Sequence, residues 1–296
     1  MNEPASIIVA GRATVDVIMK IDKFTDRPEK SKANDCRLVV GGPGANASIA
    51  ISRFGGHSAL VTYLGDDMMG GFIHQNLTDE AVDLSLCKIC PDAKSSVSAG
   101  LLDKNGERQT FNFPGQGFSE LPDISKLDFF PSAVLADNRH IELTKWAISL
   151  AQQKHLPMVI DAEAPFTEEQ AFGATHLAFS MQGLESFAPG CDILTGLRQA
   201  KIATGCWVCV TDGEKGVWYL KDKLLRNIPA FPVNAIDTVG AGDVWHGIFT
   251  LCLGEGMDEI KAMRTANAAA AMKCKIFGGI TASPNRQSCI SFMKEF

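Results

Sequence analysis

The sequence predicts an α/β fold: a doubly wound, mostly parallel sheet with helices on both faces, plus a small β-sheet lid. Three observations carry that prediction. Short apolar runs closed by Gly or a polar residue alternate with helix-length segments, the rhythm of buried strands joined by crossover helices. Two pairs of half-polar, alternating segments interrupt this rhythm and read as antiparallel pairs. The 296 residues, 46% apolar and 21% charged, suffice for one large core, and no repeat or low-complexity linker divides them. We expect one domain over 1–296, with the α/β core in 1–11, 41–96 and 115–296 and the lid in 12–40 and 97–114.

The elements follow in order. Ser6 to Ala10 is an apolar run ended by Gly11, as expected of a buried strand. Val15 to Phe24 and Ala33 to Val40 alternate in polarity and form the first lid pair. Gly42 to Phe54 is Ala-rich and helical, Ala59 to Tyr63 a strand, and Met68 to Glu80 a helix. Val97 to Asp103 and Glu107 to Phe113 form the second lid pair, hinged on Asn105-Gly106, a strong hairpin signal. Strand Ala133 to Ala136, helix Ile141 to Lys154 and strands Pro157 to Ile160, His176 to Phe179 and Trp207 to Val210 resume the core. The helix from Val244 to Leu253 and a long one from Met257 to Lys275 complete it. In such sheets ligands bind at the carboxyl ends of the strands.

Composition narrows the function. A formal charge of −6 argues against broad nucleic-acid binding, which needs a basic surface. No apolar run approaches the roughly 18 residues of a membrane span, and Met1-Asn2-Glu3-Pro4 does not open a secretory leader, so the expected compartment is the cytoplasm. Nine cysteines, an odd number spread over core segments, fit reduced thiols better than a disulfide framework. Cys206 and Cys209 have metal-like spacing, but the strand pattern there points them to opposite faces.

The stretch from Ile236 to Asp243 is the best candidate for chemistry. Gly240, Ala241 and Gly242 let consecutive amides face one concave space at the start of a helix, whose dipole favours an anion. Asp243 lies in the first turn, where an ionised carboxylate able to accept a hydroxyl proton is favoured. No Walker A loop is present, and Gly11-Arg12-Ala13 does not continue into a dinucleotide-binding glycine motif.

Asp237-Thr238-Val239-Gly240-Ala241-Gly242-Asp243 resembles the C-terminal signature of the PfkB (ribokinase-like) carbohydrate kinases. Gly41-Gly42-Pro43-Gly44-Ala45-Asn46-Ala47-Ser48, with Gly55 and Gly65, resembles the N-terminal one. The resemblance implies a ribokinase-like fold and an ATP- and Mg²⁺-dependent kinase, with Asp243 as base and the amides of Gly240, Ala241 and Gly242 as anion hole. It places Asp16, Gly41, Gly42 and Asn46 on the sugar, and Thr211, Gly213, Gly216, Asn267 and Gly278 on the nucleotide. Two departures stand out. Ser180-Met181-Gln182-Gly183 occupies the position of an Asn-x-x-Glu element that organises Mg²⁺ in the family, so no protein metal ligand is assigned. Pro43 replaces the Lys of ribokinases proper, which disfavours ribose.

Pro28-Glu29-Lys30, Phe111-Asn112-Phe113-Pro114, Leu135 to Arg139 and Ala178-Phe179-Ser180 are similar to segments of bacterial sulfofructose kinases. That similarity implies that Lys30, Asn112 and Arg139 hold a sulfonate and that 6-deoxy-6-sulfofructose is phosphorylated at its 1-hydroxyl. A neutral-sugar kinase of fructokinase or ribokinase type, and a non-catalytic nucleotide- or sugar-binding module, stay open as alternatives. Exposed lid strands are edges that commonly pair with another copy, so a homodimer through the lid is expected.

Overall fold

The computed structural model describes residues 4–25, 27–105, 107–119, 121 and 127–296, so the hairpin tip at Gly106 and the residues before Pro4 lie outside it. The first half of the chain runs β1 (Ser6–Ala10), β2 (Thr14–Lys20), β3 (Asp35–Gly41), α1 (Pro43–Arg53), β4 (His57–Val61), β5 (Tyr63–Gly65), α2 (Met68–Asp79), β6 (Lys88–Cys90), β7 (Val97–Leu102) and β8 (Arg108–Phe113). The second runs β9 (Ala133–Asp137), α3 (Ile141–Lys154), β10 (Met158–Ala162), β11 (His176–Ser180), α4 (Met181–Phe187), α5 (Ile193–Thr204), β12 (Trp207–Thr211), β13 (Val217–Lys221), β14 (Leu224–Ile228), α6 (Ala241–Gly254), α7 (Glu259–Cys274) and α8 (Arg286–Met293).

Eight strands form the main sheet in the order β14-β13-β12-β11-β10-β9-β1-β4. From β4 to β12 all neighbours are parallel, and an antiparallel hairpin, β13–β14, closes the edge. The two-residue period of β1 sends Ile7 and Val9 to one face and Ile8 and Ala10 to the other. The first face packs on α1, α6 and α7 and the second on α3 and α5, so the central strands are mostly apolar, their charged residues Asp137 and Asp161 lying toward the carboxyl ends of β9 and β10. Cys206 belongs to one core and Cys209 to the other, and all nine cysteines are free.

The two lid pairs join into a single four-stranded sheet, β3-β2-β7-β8, whose central pair β2–β7 is parallel. Asp16, Ser98 and Asn112 stand side by side in its register and therefore share one face. Two features escape the sequence pattern. The β13–β14 turn uses Asp222 and Lys223 at φ 51° and 66°, without the glycine that normally marks such a turn. Helix α5 starts at an Asp192 cap, which accepts from the Thr195 amide, and ends at a left-handed Gly205.

Candidate active site

Strands β1, β9, β10, β11 and β12 all end at one edge of the sheet, and the N-terminus of α6 is brought to the same edge. Gly240 caps α6 with φ 75°, a left-handed turn that suits glycine. Among the described residues, the amides of Gly240, Gly242 and Asp243 have no backbone partner, whereas Ala241 N–H donates to the Thr238 carbonyl at 3.2 Å. The turn thus engages the Ala241 amide, while those of Gly240, Gly242 and Asp243 are left for another acceptor. Beyond the backbone of its own helix and its chain neighbours, nothing among the described residues stands within 4 Å of a Cβ built on Gly242.

Asp243 is half-buried, and Asn46 Nδ2 donates to its Oδ2 at 2.6 Å. Burial pushes its carboxyl above the usual range, and the Asn46 bond opposes the shift. Asp16 faces it from β2. Burial, with Asp243 second, pushes Asp16 up to about 6, while a bond from Ser98 and the charge of Arg108 oppose the shift. A carboxylate on each side, unlike in burial and partners, frames the space for an acceptor.

The glycines expected on the sugar side have a steric reason to be there. A Cβ on Gly41 would lie 2.0 Å from Asp16 Oδ2, and one on Gly42, whose φ is 92°, would lie 2.6 Å from the Arg12 carbonyl. Pro43 fits because it opens α1, where its missing N–H costs nothing. Thr14 Oγ1, Asn46 Oδ1 and Arg12 Nε are buried polar atoms without a hydrogen-bond partner.

Two adjoining cavities lead to the α6 turn. One of about 920 Å³ runs from Thr211, Gly213 and Gly216 past Ala230–Ala235 to Thr238, Gly242 and the α7 residues Asn267 and Ala270. The other, about 750 Å³, is lined by Arg108, Glu163, Ser180, Gln182, Asp212, Lys215 and Gly240. Gly216 has φ 85°, and a Cβ there would lie 2.1 Å from the Ile228 carbonyl. Asn267 reaches the wall of the larger cavity, but its polar atoms are engaged: it accepts from Trp245 Nε1 at 2.8 Å and donates to the Ile228 and Pro229 carbonyls. Gly278 likewise spends its amide on Asp237 Oδ2, as does Gly279. The Asn267 side chain and the Gly278 amide are thus engaged within the protein, and Asn267 still lines the larger cavity.

Asp237 is the knot of this wall. It accepts from Val239, Gly278 and Gly279, and the wholly buried Lys273 donates to its carbonyl at 2.9 Å. These backbone bonds outweigh its burial and hold the carboxyl below its ordinary range.

The three residues expected to grasp an anion are placed apart in kind. Asn112 shares the Asp16 face of the small sheet, Lys30 is exposed in the loop before β3, and Arg139 follows β9. Arg139 is 29% exposed, with Nη1 donating to the Ala164 carbonyl at 3.0 Å and Nη2 4.0 Å from Glu163. Among the described residues, no hydrogen bond or ion pair joins the three. Ser180, at the altered metal element, caps α4 by accepting from Gly183 N at 3.0 Å. Among the described residues, no group of three or more His, Cys, Asp or Glu side chains is arranged to hold a metal ion.

Sequence reasoning missed Arg12, Arg108, Glu163 and the buried pair Asp161–His246. Arg108 was legible as a position on the same face of β8 as Asn112; Arg12, Asp161 and Glu163 come from strand ends and His246 from α6, and they meet only in space.

Residues 4–286 match the family model described as pfkB family carbohydrate kinase. The chain is 27% identical over 294 residues to the ribokinase of Bacillus subtilis, covering 95% of this chain and 97% of that one. It is 27% identical over 312 residues to the fructokinase of Vibrio alginolyticus, covering 96% and 98%. The structure of Arabidopsis thaliana ribokinase complexed with ribose and ATP superposes with a TM-score of 0.88 at 19% identity, over 98% of this chain and 99% of that one.

Proposed function

Because the chain belongs to the PfkB family of carbohydrate kinases, phosphotransferases with an alcohol acceptor, we propose that it moves the γ-phosphate of ATP to a primary hydroxyl of a ketose, 6-deoxy-6-sulfofructose at its 1-hydroxyl being the first acceptor to test. One observation carries the kinase reading: Asp243 and the outward amides of Gly242 and Asp243 meet at the N-terminus of α6, beside two cavities. The ribose and ATP in the similar Arabidopsis structure support ATP as donor.

The larger cavity suits a nucleoside and the smaller its phosphates, with Thr211, Gly213 and Gly216 shaping the wall they share. Asn46 holds Asp243 Oδ2, which leaves Oδ1 for the acceptor hydroxyl. The carboxylate takes that proton as the oxygen attacks, and its raised pKa makes it a better acceptor. The outward amides bear the charge of the transferred group, since phosphoryl transfer depends on position and electrostatics. Glu163 and Gln182 present oxygen donors in the smaller cavity, which fits Mg²⁺ held by few protein ligands, water and phosphates. Bound there, Mg²⁺ would neutralise phosphate charge.

The sulfonate reading is supported by the similar segments and by the place of Asn112 in the Asp16 row. A neutral ketose or ribose is favoured by a different observation, the commitment of Arg139 to Ala164 and Glu163. ADP release with 6-deoxy-6-sulfofructose, fructose and ribose, in wild type and Arg139→Ala, separates them. A sulfosugar kinase loses activity by orders of magnitude in the variant, a neutral-sugar kinase hardly changes, and a binding module turns over none of the three.

A homodimer through the small sheet is supported by Phe111, 61% exposed on the edge strand β8. Free thiols support the cytoplasm as compartment.

A further inference from the structure

Lys273 lies in the last turn of α7 with no exposed surface, and its ammonium is spent on one residue of the loop that leads into α6. Nζ donates to the Asp237 carbonyl at 2.9 Å and lies 3.5 Å from Asp237 Oδ1. The loop backbone is tied to the same helix end, because the Cys274 carbonyl accepts from the Ile236 and Asp237 amides at 2.8 and 3.1 Å. A buried ion pair adds little stability over an apolar side chain of similar volume, so holding the loop down does not call for a charge. What a lysine does here and an apolar residue cannot is fix the direction of a carbonyl. That carbonyl shares a planar peptide with the Thr238 amide, and the Thr238 carbonyl in turn accepts from Ala241 N at 3.2 Å to close the turn before Gly242 and Asp243. Thr238 also lines both cavities.

We propose that Lys273 is a positioning residue for the phosphoryl-binding turn: its ammonium sets the Asp237–Thr238 peptide and, through it, the aim of the Gly242 and Asp243 amides. The other bonds of Asp237 do not substitute for it. Val239, Gly278 and Gly279 hold the carboxylate and the Cys274 carbonyl holds the amide, but among the described residues nothing else donates to the Asp237 carbonyl. Without the ammonium that peptide plane is free to turn, and the amides beyond it lose their common direction. Thr211, Gly213 and Gly216 belong to β12 and the turn after it, not to this loop, so nucleotide binding is spared and the loss falls on transfer. The inference rests on the kinase reading of the same site.

The test is ADP release by wild type and Lys273→Met, which nearly keeps the volume and loses the donor, with fructose, ribose and 6-deoxy-6-sulfofructose, well below the melting temperature of each protein. In the variant kcat should fall on the order of tenfold while both KM values stay within about twofold. A second variant separates positioning from packing. Lys273→Ala leaves room for n-propylammonium, the part of the side chain removed, which should raise its kcat severalfold. Tetramethylammonium at the same ionic strength has no N–H to donate and should not. An unchanged kcat in Lys273→Met, raised KM values with kcat intact, or equal responses of Lys273→Ala to the two ions would overturn the inference. If Lys273→Ala fails to fold, the split between kcat and KM in Lys273→Met decides alone. Failure of the kinase reading is distinguishable, since the wild type would then turn over none of the three sugars.

Discussion

Replacing Gly41 by Ala adds one methyl group and tests whether Asp16 is held in place for a substrate hydroxyl. The new Cβ would lie 2.0 Å from Asp16 Oδ2 and 2.7 Å from its Cγ. The carboxylate must retreat by about 1.5 Å to reach the ~3.5 Å of an ordinary contact. Misplacing a group by about 1 Å near the reacting centre costs on the order of a hundredfold in rate, or about 2.7 kcal/mol of transition-state stabilisation. A coupled assay of ADP release should therefore show kcat/KM for the sugar falling about a hundredfold, with KM for ATP unchanged within about twofold. Thermal unfolding should shift little, because the displaced atoms are the end of a side chain bordering an open cleft. Native sugar kinetics in the Gly41→Ala variant would refute the placement of Asp16 on the acceptor.

Other expectations follow from the same geometry. Asp16→Asn should raise the melting temperature by a few degrees at about pH 8 and have no effect at about pH 4. The carboxyl is raised to about 6 in the folded state, so the stability it contributes is full below its unfolded pKa and is lost as pH rises through 6. Calorimetry at the two pH values checks this, and a gain confined to low pH would contradict it. Gly216→Ala forces a side chain onto φ 85° and against the Ile228 carbonyl, so KM for ATP should rise at least about tenfold with the sugar KM preserved. Lys273→Met removes the donor to the Asp237 carbonyl and the ammonium beside its carboxylate, which keeps its three backbone bonds, and should cost about 2 kcal/mol in urea unfolding. No loss there would mean that the buried ammonium is dispensable to the loop.

The sequence made the strand and helix rhythm of the core legible because β1, β9, β10, β11 and β12 are buried on both faces and so are mostly apolar. The two lid pairs were legible from half-exposed alternation, although their union through a parallel β2–β7 pairing was not, since nothing local encodes which strands meet. The β13–β14 hairpin escaped because Asp222 and Lys223 take a turn that glycine usually marks. At the site, the α6 turn with Asp243 could be read because loop, helix start and acid are contiguous. Asn267 and Gly278 were placed on the nucleotide for their position, which does not reveal that the Asn267 side chain and the Gly278 amide are also engaged within the protein. Glu163, Arg12 and the Asp161–His246 pair could not be read, because they come from the ends of β1 and β10 and the hidden side of α6 and meet only after folding.

The most direct measurement is ADP release by wild type and Asp243→Asn at saturating ATP with each candidate sugar. The isosteric amide preserves the Asn46 contact region but accepts no proton. A sugar-dependent rate that falls by a factor on the order of a thousand in the variant, with nucleotide affinity retained, is the predicted result. Sugar-dependent turnover that survives the substitution would contradict Asp243 as the base.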